Sequence, residues 1–157
     1  MTRLLVLAMI ADALIGEPKW LWSRLSHPVV AIGAAISIGD KWLNRAKARK
    51  VKGTFFLIAL IASAAALGQS LSELGEIAEF PCLTILLAQR SLVDHVAKVT
   101  QALGSSLKEG RAAVAQIVGR DTDDMNAGEV SRSAIESAAE NFSDGVIAPI
   151  FWFLVAG

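Results

Sequence analysis

An uncharged apolar segment near the middle of the chain limits the folds that the chain can adopt. Residues 54–71 contain no Asp, Glu, Lys or Arg over eighteen positions. An α-helix of about this length crosses the hydrocarbon layer of a bilayer. Hydrophobic residues also make up 54% of the 157 residues, a larger share than soluble domains usually have. We therefore predict an all-α fold, specifically a polytopic helical membrane protein.

Two helical hairpins are expected in the membrane part. Residues 1–44 form the first, because Gly16-Glu17-Pro18 ends one apolar helix and Pro28 can begin the next. Residues 54–103 form the second, in which Pro81–Leu103 is one long returning helix with an amphipathic second half. A cleaved signal peptide is the alternative for the first helix, although a single Arg is a weak basic region for such a peptide.

A polar and acidic segment, residues 104–145, follows the hairpins. It contains a short amphipathic helix at Leu107–Val118, ended by Gly119 as a C-cap, and a second helix at Glu129–Phe142. Residues 146–157 are apolar again and begin a further membrane segment. Together these parts form a single membrane domain.

The basic residues of the chain are concentrated between the two hairpins. They are Lys41, Arg45, Lys47, Arg49, Lys50 and Lys52. Lys and Arg between spans favour the cytoplasmic side of a membrane. We therefore expect a multi-pass protein of the cell (inner) membrane, with the 104–145 segment on the cytoplasmic side. The net charge is zero, which gives no indication of a nucleic-acid partner.

A series of charged side chains spaced by four lies on the predicted helix around residue 136. Its members are Arg132, Glu136, Glu140 and Asp144. One interpretation is an Arg132–Glu136 ion pair on a solvated face, which is common at this spacing. The other is a cation site, because Glu136 and Glu140 lie one turn apart and repel each other. With Asn141 they offer hard oxygen ligands of the kind that Mg²⁺ prefers.

Gly119-Arg120-Asp121-Thr122 is a second candidate element. The planar guanidinium of Arg120 could bind a phosphate while Asp121 holds it in place. The acidic stretch 121–126 does not match a calcium-binding EF-hand loop. Its alternative role is a solvated loop that caps the next helix. The chain also lacks the common phosphate-loop, dinucleotide and nucleophile-elbow motifs.

Two further groups could carry chemistry. In Arg90-Ser91-Leu92 with His95, the histidine is either a core residue or a proton carrier or phosphate contact. Asp12 is an acid in an otherwise apolar segment, which is costly and usually functional in a membrane. Its alternative is an interfacial position close to Gly16. The first hairpin would bring His27 near Asp12.

In order, these motifs resemble the CobD/CbiB family of cobalamin biosynthesis, the adenosylcobinamide-phosphate synthases. The matching pieces are Asp12-x-x-x-Gly16-Glu17-Pro18, His27-Pro28-Val29 with Gly33, Arg90-Ser91-Leu92-x-x-His95, Val118-Gly119-Arg120-Asp121-Thr122, Glu136-x-x-x-Glu140-Asn141-x-x-Asp144-Gly145-Val146-Ile147-Ala148-Pro149 and Phe151-Trp152. They extend over nearly the whole chain, and the last two are the most specific.

The resemblance implies a membrane carbon–nitrogen ligase. It would join adenosylcobyric acid to (R)-1-amino-2-propanol phosphate, or ethanolamine phosphate, in an ATP- and Mg²⁺-dependent reaction that gives adenosylcobinamide phosphate. The implied partners are these corrinoid and amino-alcohol phosphate substrates, the lipid bilayer and other late enzymes of the cobalamin pathway.

Residue roles follow as hypotheses from the matching positions. The expected catalytic residues are His95, Asp121, Glu140 and Asp144, with His95 assisting proton transfer from the attacking amine. The expected substrate- and phosphate-binding residues are Asp12, His27, Arg90, Gly119, Arg120 and Thr122. The expected Mg²⁺ ligands are Glu136, Glu140, Asn141 and Asp144.

The resemblance covers only the N-terminal portion of such enzymes. Family members continue with a further Y-K-A-x-N-T-x-D-S-M type of motif, so we expect the activity of this chain to depend on groups outside it. The alternatives are a truncated, inactive fragment, a non-catalytic AmpE-like regulatory membrane protein, and a small transporter that uses Asp12 and the acidic helix as a cation path.

Overall fold

The computed structural model describes residues 1–16, 18–24, 28–45 and 47–156. Every regular element in these ranges is helical, which confirms the all-α prediction. The elements are α1 (Thr2–Ile15), α2 (Lys19–Trp22), α3 (Pro28–Leu43), α4 (Arg49–Ser72), α5 (Glu76–Leu86), α6 (Gln89–Ser105), α7 (Leu107–Val114), α8 (Ala127–Phe142), a π-turn (Ser143–Ile147) and α9 (Ala148–Ala156).

The chain divides into two compact units. The first contains residues 1–17 and 80–157, and the second contains residues 18–79. In the first unit α1 packs on α6 and α9, and in the second α3 packs on α4. The hairpin predicted over residues 1–44 stays a prediction, because its two helices, α1 and α3, belong to different units.

An apolar layer forms one part of the first unit. Leu5 and Ala8 of α1 pack against Leu83 and Leu87 at the end of α5, and Ile150 and Phe153 of α9 join them. The opposite surfaces of α1 and α9 remain apolar and exposed. The exposed side chains there include Val6, Leu7, Ile10, Leu14, Phe151, Trp152, Leu154 and Val155. Exposed apolar side chains in this number are typical of helices that face lipid or protein.

A second core holds the amphipathic helices together. Val99 of α6, Val114 of α7, and Val130 and Ala134 of α8 are buried against one another. α8 begins with a capping box, in which Asn126 and Glu129 each accept a hydrogen bond from the other's backbone N–H. The polar segment is thus a packed helical layer rather than a loose acidic loop.

The long returning helix predicted at 81–103 is two helices. α5 ends at Leu86 and α6 begins at Gln89. At the break the backbone N–H of Ala88 donates to the carbonyl of Gly145, at 3.0 Å. Because a distant carbonyl satisfies this donor, the chain can leave the helix here without burying an unpaired N–H.

Other helix ends also differ from the sequence prediction. α7 ends at Val114, not at Val118, and residues 115–117 form turns. Ile117 and Val118 leave the helix because they pack on the core of α6, α7 and α8. The hydroxyl of Ser137 donates to the carbonyl of Ile117, at 2.6 Å. Gly119 is therefore not the C-cap of α7.

The second unit contains a helical hairpin of α3 and α4. The Phe56 ring lies directly against Gly39, where an added Cβ would come within 2.4 Å of the ring. α4 is the one helix in the described ranges that is long and apolar enough to cross a membrane. It begins at Arg49, five residues before the predicted apolar segment, and none of its residues is buried. The multi-pass arrangement remains a prediction.

The core of α6, α7 and α8 can be tested with Val130, which is fully buried. We expect Val130→Ala to lower the free energy of unfolding by about 2 kcal/mol, because it removes buried methyl groups and leaves a cavity. Ile135→Ala, on the exposed face of the same helix, should change it by less than about 0.5 kcal/mol. Unfolding in mild detergent, followed by circular dichroism, measures both. Equal losses would contradict this assignment of the core.

Candidate functional site

Two of the clefts that border helix α8 in the first unit contain candidate residues. The first, the histidine cleft, has a volume of about 360 Å³. It is lined by Ala88, Ser91, Leu92, His95, Gln116, Ile117, Val118, Ser137, Asn141 and Gly145. None of these side chains is an acid or a permanent cation, so the cleft suits neutral polar groups.

His95 is held in a defined orientation in the histidine cleft. Its Nδ1 lies 2.7 Å from the backbone carbonyl oxygen of Ser91. A carbonyl can only accept, so Nδ1 carries the hydrogen of this bond. In the neutral ring the lone pair is then on Nε2, which has no hydrogen-bond partner among the described residues. This tautomer allows His95 to accept a proton through Nε2.

Asn141 belongs to the same cleft through a short chain of hydrogen bonds. Its amide nitrogen donates to the carbonyl and the hydroxyl of Ser137, at 2.8 and 3.1 Å. Ser137 donates in turn to the carbonyl of Ile117. Because the amide nitrogen is engaged, the Asn141 oxygen is the group that remains to accept from a ligand. Ser137 and Gln116 are cleft residues that the sequence analysis missed.

The second cleft, the arginine cleft, has a volume of about 460 Å³. It is lined by Arg120, Asp121, Asp124, Met125, Glu129, Arg132, Ser133 and Glu136. Both clefts use α8 and the 116–121 loop as walls, so they are neighbours along one helix.

Glu136 pairs with Arg120, which changes how the acidic helix is interpreted. The Arg120 Nη2 atom lies 2.7 Å from Glu136 Oε2. Both side chains are about half exposed, at 56% and 49%, so the pair contributes little to stability. The i, i+4 pair of Arg132 with Glu136 is therefore not formed. Arg132 lines the cleft with no carboxylate partner among the described residues, whereas the sequence analysis considered it only as a partner of Glu136.

The loop between α7 and α8 is anchored at several points. The Thr122 hydroxyl donates to the carbonyl of Arg111, and the Arg111 Nε atom donates to the carbonyl of Met125, at 3.2 and 2.6 Å. Asp121 accepts from the backbone N–H of Asp123. Thr122 is buried, so its observed role is to hold the loop. Gly119 has no neighbour within 4 Å of an added Cβ.

Asp12 is buried and binds the start of α6. Its Oδ2 atom accepts from the backbone N–H groups of Gln89 and Arg90, at 3.0 and 3.3 Å. These are donors that a helix cannot satisfy internally, and the residue at the N-cap position of α6, Ala88, provides no side-chain cap. The carboxylate of α1 thus caps a helix far away in sequence, which accounts for its burial without a ligand.

The Arg90 side chain lies across the end of α1. Its Nη1 atom donates to the carbonyl of Ala13 and its Nε atom to Asp94. Gly16 has φ +61°, and an added Cβ would lie 2.7 Å from the Arg90 Cγ atom. Glycine is needed here for both reasons. Arg90 and Asp12 therefore form a junction between α1 and α6, separate from the two clefts, and His27 lies outside the described residues.

The predicted Mg²⁺ ligands do not form a closed site. No three His, Cys, Asp or Glu side chains of the described residues converge where they could share a metal ion. Glu136 is engaged by Arg120, and the Asn141 amide faces the histidine cleft. Glu140 and Asp144 are exposed, without an ion-pair partner in the described part of the chain. The side chains do not fit an ion held by protein ligands alone.

The π-turn, which contains the Asp144-Gly145-Val146 part of the motif that begins at Glu136, lies next to the break between α5 and α6. Residues 143–147 make a wider turn that joins α8 directly to α9. An added Cβ at Gly145 would approach the Ala88 Cβ to 3.1 Å, so a small residue allows the two segments to meet. π-turns within α-helices are frequent at functional sites. Gly145 also lines the histidine cleft.

Comparisons with known proteins point to one family. A family model described as CobD/Cbib protein matches residues 5–157. The chain is 45% identical to a Rhizobium meliloti (strain 1021) protein named cobalamin biosynthesis protein CobD, covering 98% of this chain and 51% of the relative. Proteins with the same name from Rhodobacter capsulatus and Halalkalibacterium halodurans are 37% and 36% identical, over 98% of this chain and 52% and 50% of the relatives.

The chain spans about half the length of these curated relatives. No solved structure is significantly similar to it.

The junction at Asp12 gives a stability prediction. Asp12→Ala should lower the free energy of unfolding by about 1–3 kcal/mol, because two backbone donors at the start of α6 lose their acceptor. Asp12→Asn keeps an oxygen acceptor and should lose less. Asp123→Ala, an exposed acid, is the control and should change it by less than about 0.5 kcal/mol. Thermal unfolding in detergent measures all three, and an Asp12→Ala variant as stable as the parent would contradict the capping role.

Proposed function

Because the chain belongs to the CobD/Cbib protein family, we propose that it takes part in cobalamin biosynthesis. The proposed reaction is ATP-dependent formation of an amide bond between adenosylcobyric acid and (R)-1-amino-2-propanol phosphate or ethanolamine phosphate. The product is adenosylcobinamide phosphate. Since the relatives are about twice as long, the residues described here supply part of the complete site.

The observation that carries this proposal is the pair of arginines in the arginine cleft. Glu136 holds one guanidinium, Arg120, and leaves the other, Arg132, without a carboxylate partner among the described residues. A planar guanidinium with free N–H groups is well suited to a phosphate. Both the nucleotide and the amino-alcohol substrate carry phosphate. Four carboxylates also line the cleft, so Arg132 is the cation proposed to bind that phosphate.

The neighbouring histidine cleft suits the amine side of the reaction. ATP first transfers a phosphoryl or adenylyl group to a carboxylate oxygen of the corrinoid. The amine nitrogen then bonds to the carboxyl carbon, the bond to the activated oxygen breaks, and that oxygen leaves with the phosphate or the nucleotide. The nitrogen must lose a proton in this step. Nε2 of His95 is the proposed acceptor, because Nδ1 is already the donor to Ser91.

The acidic residues are assigned supporting roles. Asp121 lines the arginine cleft and is proposed to orient the bound phosphate through Arg120. Glu140 and Asp144 are proposed contacts of Mg²⁺ brought in by ATP, since Mg²⁺ commonly binds one or two carboxylates together with substrate phosphates. No step of the reaction is assigned to the ion. Asn141 is proposed as an acceptor for the substrate amine.

A membrane location is part of the proposal. α4 has the length and composition of a spanning helix, and α1 and α9 present apolar side chains to the outside. We place the clefts on the cytoplasmic side, where ATP is available, in a multi-pass protein of the cell membrane. Other late enzymes of the cobalamin pathway are the expected partners.

Complementation tests the function. In a host that lacks its amide-forming synthase and is fed cobyric acid, we expect cobalamin-dependent growth when this chain is expressed together with the remaining half of a relative. Cobinamide feeding, which enters after the amide step, is the control. Growth on cobinamide but not on cobyric acid, with the protein present in the membrane, would contradict the proposal.

Substitution of Arg132 tests the role of the arginine cleft. The variants are measured in the active protein formed by this chain together with the remaining half of a relative. We expect Arg132→Gln to raise KM for the amino-alcohol phosphate about ten- to hundredfold, the effect of losing a charge-assisted hydrogen bond worth about 1.5–3 kcal/mol. Arg132→Lys should recover part of this loss. Lys108→Gln, an exposed cation on α7, is the matched control and should leave KM unchanged. An Arg132→Gln enzyme with the parental KM would remove Arg132 from the phosphate site.

A further inference from the structure

A dense group of cations surrounds the connection between α3 and α4 in the second unit. The group, called the basic connection below, contains Lys41, Arg45, Lys47, Arg49, Lys50 and Lys52. All six are exposed. In the described ranges the ion pairs are Arg90–Asp94 and Arg120–Glu136, so none of the six is neutralised. The one adjacent acid, Asp40, accepts instead from the Asn44 amide, at 2.9 Å.

An apolar groove lies next to these cations. It has a volume of about 330 Å³ and lies between α3 and α4 of the hairpin. The groove is lined by Ile36, Gly39, Asp40, Leu43, Asn44, Arg49, Gly53 and Phe56. Its lining therefore changes from aliphatic and aromatic side chains to a polar end formed by Asp40, Asn44 and Arg49. The Asn44 amide engages the Asp40 carboxylate, whereas the Arg49 guanidinium has no ion-pair partner among the described residues. A ligand that fits must combine an apolar chain with an anionic end.

The position along α4 matches the headgroup region of a bilayer. α4 has 24 residues, about 36 Å at 1.5 Å per residue, whereas the hydrocarbon layer is about 30 Å thick. The first turn of a spanning α4, which carries Arg49, Lys50 and Lys52, therefore extends beyond the hydrocarbon. Trp42, at the end of α3, is 79% exposed, as is typical of an aromatic residue at the membrane interface.

We propose that the basic connection and the adjoining groove bind an anionic phospholipid. The headgroup phosphate contacts Arg49 and its neighbouring cations, and one acyl chain lies in the groove against Leu43 and Phe56. The inference rests on α4 crossing a bilayer, and it is independent of the chemistry proposed for the clefts. Positive charge alone is enough to orient a protein in a membrane. The groove beside Arg49 is an additional feature, because it can hold the acyl chain of a bound lipid.

The charge of the connection favours anionic over zwitterionic lipid. A zwitterionic headgroup places its own cation close to its phosphate, and that cation is repelled by the six cations of the connection. Clusters of four to eight Lys and Arg beside a membrane helix commonly attract anionic headgroups. Because the cations are exposed to solvent, this preference should weaken as salt is added.

Quenching of Trp42 fluorescence measures which lipid lies next to the basic connection. In the full chain carrying Trp20→Phe, Trp22→Phe and Trp152→Phe, Trp42 is the one remaining fluorophore of its kind. The protein is placed in phosphatidylcholine vesicles that contain either brominated phosphatidylglycerol or, at the same fraction, brominated phosphatidylcholine. Bromine quenches a nearby indole. At low ionic strength we expect brominated phosphatidylglycerol to quench Trp42 about three- to tenfold more strongly than brominated phosphatidylcholine does.

Two double variants distinguish lipid binding at this site from a general electrostatic attraction between the protein and anionic lipid. Arg49→Gln with Lys50→Gln should reduce the preference to about one- to twofold. Lys98→Gln with Lys108→Gln removes the same charge from α6 and α7 and should leave it unchanged. Circular dichroism verifies that both double variants are folded. Equal effects of the two pairs would overturn the proposal.

Three further outcomes would also overturn it. Equal quenching by the two brominated lipids would show that no anionic lipid is selected. Loss of the preference on adding inorganic phosphate at constant ionic strength would show a site for free phosphate instead of a lipid. Absence of quenching by either lipid would refute the membrane position of α4, a result that leaves the complementation test of the clefts unaffected.

Discussion

The first unit depends on the buried contact between Asp12 and the beginning of α6. The carboxylate accepts from two backbone N–H groups at the N-terminus of α6. The helix dipole also favours a negative charge at this end. Gln89 adds a side-chain hydrogen bond to the carbonyl of Met9, and Arg90 reaches Ala13. These contacts set where α6 starts, and hence where Ser91 and His95 lie in its first two turns. A change at this junction would therefore move the histidine cleft as well as lower stability.

α8 connects the two clefts because successive turns of one helix contribute to both. Arg132 and Glu136 line the arginine cleft, whereas Ser137 and Asn141 line the histidine cleft. The hydrogen bond from Ser137 to Ile117 ties the 116–121 loop to this helix between them. A phosphate bound at one cleft and an amine bound at the other would thus be held by a single rigid element, which is the condition for efficient orientation of two reactants.

The surface chemistry separates the first unit into two kinds of helix. α1 and α9 expose apolar residues on the outside, whereas α6, α7 and α8 expose charge and bury a compact aliphatic core. The same contrast exists in the hairpin of the second unit, where an apolar α4 begins in a basic connection. Exposed apolar surface of this extent is costly in water, and a bilayer removes that cost. In the proposed function, the polar helices provide the solvated surface for the charged substrates.

The sequence by itself determined the helical class, the length and apolar composition of α4, the amphipathic character of α6 and the family. Each of these depends on local pattern: an uncharged run, a 3.6-residue period, or motifs in order. Only the tertiary structure decided that Asp12 caps α6, that Thr122 holds a loop, and that Glu136 pairs with Arg120 instead of Arg132. It also divided the predicted 81–103 helix into α5 and α6. Those outcomes depend on contacts between residues 11 to 78 positions apart, which spacing along one helix cannot reveal.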